Sequence, residues 1–351
     1  MNTNLTITRY PSTQNRSLKA WNASDELIVS HIQKNKLSPK KTVIYNDRFG
    51  YLGCNLASFN PTKINHYKSE DKAFKLNAEQ NKISLDTIEI QHPLQDLPTD
   101  IELGIIKVPK SIELFDFYLS TLVKNLKKDA TVLCGFMTKY FNKSMLEIAN
   151  TYFEEVEQSL AWKKSRILIL KSPKRVPNTD PLISIKFNHT ITGELEVKQY
   201  PGVFSSKNVD YATQFFLDHL GVLDTDECIL DLASGNGIIA RTAITIQPNA
   251  EFHLVDDSYL AIESSKLNMP DGTTQFFWND GLDLLEKESF DLVLSNPPFH
   301  FGFETNVEVS VHLFKQVHQC LKMGGRFRAV ASKHLNFKTH LEPLFSSTKI
   351  I

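Results

Sequence analysis

Ser295-Asn-Pro-Pro-Phe-His300 sets an amide, two prolines and an aromatic ring in a row, directly after the apolar run Phe290-Asp-Leu-Val-Leu294. The chemistry such a row suits is work on a planar exocyclic amine. That amine is a poor nucleophile, because its lone pair is delocalised into the ring. Two acceptors aimed at one NH2 raise the electron density on nitrogen, and the side-chain oxygen of Asn296 with the backbone carbonyl of Pro297 are suited to that. Pro297 and Pro298 fix φ at successive positions and bring no competing N–H. Phe299 offers a π face on which an extruded base can stack. No dedicated base is required, since the amine proton becomes acidic once nitrogen is alkylated and leaves to water. A proline-stiffened loop without chemistry is the plain alternative for Asn-Pro-Pro alone. His300, and His334 further on, read as incidental histidines.

The companion motif lies upstream. Asp231-Leu-Ala-Ser-Gly-Asn-Gly237 follows a short apolar run and opens a helix. In open α/β sheets ligands bind beyond the carboxyl ends of the strands. Gly235 and Gly237 let backbone approach a ligand closely, with Ala233 and Ser234 completing the loop. A dinucleotide site needs G-x-G-x-x-G to seat a pyrophosphate on the helix N-terminus. Here the glycine spacing differs, and Asp231 stands where a pyrophosphate would be repelled. An acidic residue followed by small residues instead suits S-adenosylmethionine, which carries a sulfonium and an amino group and no phosphate. Asp256, with Asp257 beside it, ends the next apolar run and suits a ribose diol. Asn279 and Asp280 end the third run, where an adenine would lie, although Asp-Gly there also reads as a simple turn.

The elements that must hold these residues follow from the pattern. Short β-branched runs alternate with longer amphipathic ones, as in an α/β fold with a mostly parallel sheet. In the second half, strands are expected at 228–233, 252–255, 275–278, 290–294 and 326–330, and helices at 238–246, 260–267 and 307–321. The first half echoes this order, with strands at 42–45, 105–109 and 131–134. Asn46 to Lys107 spans 61 positions and Asp231 to Asn296 spans 65, which suggests a duplicated domain. Lys171-Ser-Pro-Lys-Arg-Val-Pro-Asn-Thr-Asp-Pro181 reads as a linker. The expectation is therefore a degenerate domain over 1–180, kept for folding or for substrate binding, and a catalytic, cofactor-binding domain over 181–351.

Charge divides at the same place. The 351 residues carry 39 Lys+Arg against 40 Asp+Glu. Residues 1–180 hold 26 of the bases and 19 of the acids, a net of +7, and the remainder hold 13 and 21, a net of −8. A basic half beside an acidic half points to a polyanionic partner on the first half. The densest patch is Lys163, Lys164, Arg166, Lys171, Lys174 and Arg175, and its first three cations are candidates for contacting RNA phosphates. The composition, 41% hydrophobic and 23% charged, is that of a globular chain. Cys54, Cys134, Cys228 and Cys320 are far apart, form no metal-binding pattern and read as small core residues. No metal is expected. With no secretory pattern and no apolar span, a cytoplasmic protein is expected.

Together the motifs resemble the class I S-adenosylmethionine-dependent methyltransferases. More closely, nearly the whole chain resembles the bacterial ribosomal RNA guanine-N2 methyltransferases, which have two tandem Rossmann-like domains, the first degenerate and RNA-binding. Asn296-Pro-Pro-Phe-His300 is similar to that family's catalytic stretch. Pro201-Gly-Val-Phe-Ser205 followed by Asp210 is similar to the segment leading into its catalytic domain. Arg9-Tyr-Pro11, Leu18-Lys-Ala-Trp21, Ala23-Ser-Asp-Glu26 and Leu160-Ala-Trp-Lys-Lys-Ser-Arg166 resemble the branch acting on the large subunit. The resemblance implies S-adenosylmethionine as cofactor, 23S rRNA, naked or in an early particle, as partner, and a monomer. A small-subunit (16S) enzyme, an adenine-N6 or glutamine methyltransferase, and a catalytically impaired ribosome-binding factor are the alternatives. Two departures stand out. Ala233 replaces a glycine of the family, and the chain stops at Ile351 where the family closes its sheet with a further hairpin, so a truncated catalytic domain is expected.

Overall fold

The computed structural model describes residues 5–351 except 16, 271, 273, 298, 299, 302, 303, 306, 333 and 334, and only the backbone of 300, 301, 304, 305 and 307. The chain packs as two units, Met1–Asp180 and Pro181–Ile351.

The first unit runs α1 (Ala23–Lys34), β1 (Thr42–Tyr45), α2 (Tyr51–Asn55), β2 (Thr62–Ile64), α3 (Lys68–Gln80), β3 (Glu89–Gln91), β4 (Ile101–Lys107), α4 (Ile112–Val123), β5 (Leu126–Met137), α5 (Lys143–Tyr152), β6 (Phe153–Gln158) and β7 (Ser165–Pro173). Its sheet has the order β3-β2-β1-β4-β5-β7-β6. The first five strands are parallel and β7 is antiparallel to both neighbours. The α1 face buries Ile28 and Ile32 against Ile44, Leu103, Ile105 and Leu133.

The second unit begins with a hairpin absent from the sequence expectations, β8 (Ile183–His189) and β9 (Gly193–Gln199). It continues α6 (Tyr211–Leu217), β10 (Cys228–Leu232), α7 (Ile238–Ile246), β11 (Glu251–Asp256), α8 (Tyr259–Asn268), β12 (Thr274–Trp278), β13 (Phe290–Ser295), β14 (His300–Phe301), β15 (Glu304–Thr305), α9 (Val307–Cys320), β16 (Leu321–Ala329) and α10 (Lys338–Leu341). The order β12-β11-β10-β13-β16, all parallel, repeats that of the first five strands of unit one. Alternation along the strands sorts the core. Ile229, Leu292 and Leu294 face α6 and α7, packing with Phe216, Leu217 and Ile239. Leu230, Leu232 and Val293 face Leu313 and Val317 of α9.

The repetition extends to irregularities of register and backbone. β4 and β5 slip in register between Ile101 and Leu103, and β13 and β16 slip between Phe290 and Leu292. Asn46 (φ 58) and Gly50 (φ 78) follow β1 as Ala233 (φ 61) and Gly237 (φ 80) follow β10. Register then shifts the correspondence that the spacing suggested. Tyr45 lies beside Ile106 as Leu232 lies beside Ser295, so Asn46 answers to Ala233 rather than to Asp231, while Lys107 does answer to Asn296.

Two further expectations are corrected. The linker is shorter than its prolines suggest, because Lys171–Pro173 still belong to β7. Pairing with Thr131 and Phe153 outweighs the local break, as proline is tolerated at a strand end. Cys54, Cys134 and Cys320 are buried, but Cys228 is only half-buried. Among the described residues no helix is long and apolar enough to cross a membrane.

Candidate active site

The site is built where β10, β11 and β13 end. Leu232 and Ser295 are register partners, and Ser295 Oγ donates to the Leu232 carbonyl at 2.7 Å. Neighbouring strands lie about 4.8 Å apart. The glycine loop after Leu232 and Asn296 after Ser295 therefore leave the sheet side by side, which 63 residues of separation in the sequence conceal.

The loop is held by its backbone. The N–H groups of Ala233 and Ser234 donate to the Val255 carbonyl at 2.8 and 3.2 Å, and that of Gly235 donates to Asp256 Oδ2 at 2.9 Å. Asp256 Oδ1 accepts from the Ser258 N–H at 2.8 Å. Asn236 Nδ2 donates to Gln199 Oε1 at 2.7 Å, and the buried Gln199 donates to the Val203 carbonyl at 3.1 Å. The Pro201–Ser205 stretch is thereby tied to the loop. A Cβ added at Gly235 would meet nothing within 4 Å among the described residues, so the loop faces open space there. Ser234 turns inward, 3.4 Å from Ser265 Oγ of α8.

Asp231 is fully buried beneath the start of α7. Its Oδ2 accepts from the Ala240 N–H at 3.0 Å, while Oδ1 is buried with no partner among the described residues. Burial pushes this carboxyl up to about 7, against the pull of the helix N–H and with a further push from Asp256. Asp256 is also pushed up to about 7, by burial, against the Ser258 and Gly235 N–H groups, although it keeps partial exposure. A buried carboxylate with one idle oxygen beside an open glycine loop can take a cationic or hydrogen-donating ligand.

Asn296 is partly exposed and Pro297 buried. Asn296 Nδ2 donates to Thr213 Oγ1 at 3.0 Å. Pro298, Phe299 and His334 lie outside the described residues, as does the side chain of His300. Asn279 turns back into its own turn, donating to the Gly281 carbonyl at 2.9 Å and Asp283 Oδ1 at 2.8 Å. Asp257 and Asp280 are partly exposed, and the Asp257 carbonyl accepts from Trp278 Nε1 at 2.8 Å.

The basic patch is less continuous than it reads. Lys163 and Lys164 occupy the β6–β7 turn with positive φ. Lys163 sits 3.2 Å from Glu26 Oε2 and 4.3 Å over the Trp162 ring, and Arg166 donates to Gln158 Oε1 at 2.6 Å. Lys171, Lys174 and Arg175 lie toward the far end of β7, a strand about 26 Å long.

Several contributors escape sequence reasoning. Thr213 and Ser295 are ordinary hydroxyls until register brings them to Asn296 and Leu232. Cys228, Glu251 and His253 form a group that could hold a metal ion. It lies at the start of β10 and β11, at the opposite strand ends from the glycine loop, and is assembled by the Cys228↔Glu251 register. His253 Nε2 already pairs with Glu251 Oε1 at 3.0 Å, and Gln275 bonds the same carboxylate.

A parallel sheet in this strand order, with a glycine loop after its central strand and Asn-Pro-Pro after the next, defines a class I methyltransferase. The comparisons agree. Residues 1–175 match the RLMG N-terminal domain, and 194–351 match the methyltransferase small domain. The chain belongs to the family of the ribosomal RNA large subunit methyltransferase G. It is 30% identical to that enzyme of Pseudoalteromonas translucida over 360 residues, covering 99% of this chain and 92% of the relative. It is 32% identical to that of Shewanella sp. strain ANA-3, covering 98% and 93%. Among solved structures, the T. thermophilus 16S rRNA N2 G1207 methyltransferase, in complex with AdoMet and guanosine, superposes with a TM-score of 0.76 at 18% identity, covering 98% of this chain and 94% of the other. That likeness establishes the fold.

Proposed function

We propose that this chain transfers a methyl group from S-adenosylmethionine to the exocyclic N2 of a guanine in 23S rRNA. The observation that carries the reading is the meeting of two motifs at neighbouring strand ends, Leu232 and Ser295, clamped by one hydrogen bond. The residues fit the cofactor: Asp231 keeps an idle buried oxygen, and Gly235 faces open space. In this reading Asp231 attracts the positive amino end, Asp256 takes the ribose, and Ala233, Ser234 and Gly235 let backbone close against the ligand, whereas Gly237, where a Cβ would lie 3.0 Å from Met269 Cε and 3.2 Å from Ser265 Oγ, lets the loop pack against α8. Asp257, Asn279 and Asp280 border the adenine. The cofactor supplies an electrophilic methyl group on a sulfonium.

The chain's own residues supply the nucleophile's environment. Asn296 Oδ1 and the Pro297 carbonyl accept the two N–H hydrogens of the guanine amine, concentrating its lone pair on nitrogen. With such a methyl donor bound, the N–C bond would form as the donor's C–S bond breaks, the proton leaving to water. By residue type alone, Pro298 suits a stiff turn and Phe299 suits stacking on a base. The names of the relatives support the large-subunit rRNA, and guanosine in the T. thermophilus enzyme supports the base.

The first unit is read as a retired copy kept for RNA. Lys107 stands where Asn296 stands and is locked to the buried Asp25 at 2.8 Å. Arg48, in the turn between Asn46 and Gly50, lies over the Tyr67 ring at 4.6 Å. The unit's net charge of +7 suits a polyanion, and Lys163, Lys164 and Arg166 are its proposed contacts. The test is mass spectrometry of 23S and 16S rRNA from cells with and without this chain. Loss of one N2-methylguanine from 23S alone is expected, and loss from 16S or from neither overturns the assignment. In vitro, Asn296→Ala should lower transfer by about 100- to 1,000-fold with cofactor affinity unchanged by calorimetry.

A further inference from the structure

Asn296 can serve an amine only if its oxygen, not its NH2, faces the substrate. An amide has two nearly isosteric ends, so something must decide between them. The contacts on α6 decide it. Asp210 caps this helix, its Oδ1 accepting from the Ala212 and Thr213 N–H groups at 3.0 and 3.3 Å. Its Oδ2 accepts from the Thr213 hydroxyl. An ionised carboxylate only accepts, so the Thr213 proton points at Asp210. The hydroxyl's lone pairs are then what remains for Asn296, whose Nδ2 lies 3.0 Å away. Only the NH2 end can face such an acceptor, and Oδ1 is turned the other way. Thr213 is buried at 5% exposure, so water does not compete for the hydroxyl.

We infer that Thr213, polarised by Asp210, is a positioning residue that sets the orientation of the Asn296 amide for methyl transfer. The inference rests on the role proposed for Asn296. The first unit supports it independently. There Asn22 caps α1 as Asp210 caps α6, and the third helical residue is Asp25, as Thr213 is the third of α6. Asp25 accepts from Lys107 Nζ at 2.8 Å, and Lys107 is the register counterpart of Asn296. Both units therefore brace the residue after the fourth strand from the same helix position. In one copy the brace is an ion pair that ties up a lysine. In the other it is a hydroxyl whose polarity dictates which end of an amide is presented.

The test uses full-length protein with Thr213→Val, which keeps shape and loses the hydroxyl, and Thr213→Ser, which keeps it. Thr213→Val should lower kcat about 10- to 100-fold, as the amide loses the acceptor that fixes its orientation, with KM for rRNA and the Kd for S-adenosylmethionine within about twofold. Thr213→Ser should recover most of the loss. Asp210→Asn is the sharper probe. Its oxygen can still cap α6, but its NH2 now donates to Thr213, so the hydroxyl donates onward and turns the amide round. A comparable fall in kcat is expected. Wild-type kcat in Thr213→Val, or equal losses in the Val and Ser variants, overturns the inference, and so does a parallel loss of cofactor affinity. Should Thr213→Val not fold, Thr213→Ala carries the same expectations. If Asn296→Ala itself retains transfer, the role of Asn296 falls first. If Asn296→Ala is dead and Thr213→Val is normal, only the positioning role falls.

Discussion

Asp231→Asn should make the ligand-free protein more stable and its cofactor binding weaker. Asp231 is buried, with one oxygen held by the Ala240 N–H and the other without a partner among the described residues. Moving a carboxyl from 3.8 to about 7 corresponds to roughly 4 kcal/mol against the charged form. Because the folded value lies above the unfolded one, the group's favourable contribution is complete below about pH 4 and is lost as pH rises through about 7. Between pH 5.5 and 8.0 the wild type should therefore lose about 2 kcal/mol from this group alone. Asparagine keeps an oxygen for Ala240 and carries no charge, so its advantage should grow by about that amount over the same range. The assay is denaturant unfolding of both proteins at pH 5.5 and 8.0 without cofactor, followed by calorimetric titration with S-adenosylmethionine at pH 8.0. A variant less stable than wild type at pH 8.0, or an advantage independent of pH, would refute the reasoning that an idle carboxylate is stored there for a ligand.

Three other perturbations test the remaining framework. Ala233→Gly relieves a left-handed alanine, φ 61, worth roughly 1–2 kcal/mol less about 0.4–1 kcal/mol of unfolded-chain entropy; a net gain of about 0.8 kcal/mol at mid-range should show in thermal unfolding, with cofactor affinity equal or better. Lys107→Ala leaves the buried Asp25 carboxylate without its cation, and denaturant melts should show a loss of about 3 kcal/mol, the lower end for breaking a buried pair. Changing Lys163, Lys164 and Arg166 together to Ala should weaken rRNA binding and flatten log K against log salt by up to about 2, since each phosphate contact contributes just under 1 and Lys163 already answers to Glu26; an unchanged slope removes the β6–β7 turn from the RNA surface.

Much of the fold was legible because its signals are local. The run Cys228–Leu232, the helix Ile238–Ile246 and the strand Phe290–Ser295 lie where apolar periodicity puts them. The β8–β9 hairpin was legible and missed: Ile183-Ser-Ile-Lys-Phe187 and Glu194-Leu-Glu-Val197 alternate apolar with polar residues, the period-2 mark of a half-buried strand, and the fold buries Ile185 and Val197 on one face. Lys171–Pro173 looked like linker because proline is a local signal, and strand pairing with residues 40 positions away is not. The site divides in the same manner. The glycine loop and Asn-Pro-Pro announce themselves by residue type, whereas Thr213 reaches Asn296 across 83 positions.

The amino-acid sequence by itself determined which groups are available: one amide followed by two prolines, one acid before a glycine loop, and a charge division near Asp180. Covalent chemistry and nearest-neighbour geometry are enough for that. Only the folded chain decided which of those groups meet, which way the Asn296 amide faces, and that Asp231 is buried with an idle oxygen. These depend on strand register and on burial, and both arise from contacts between segments far apart in the chain.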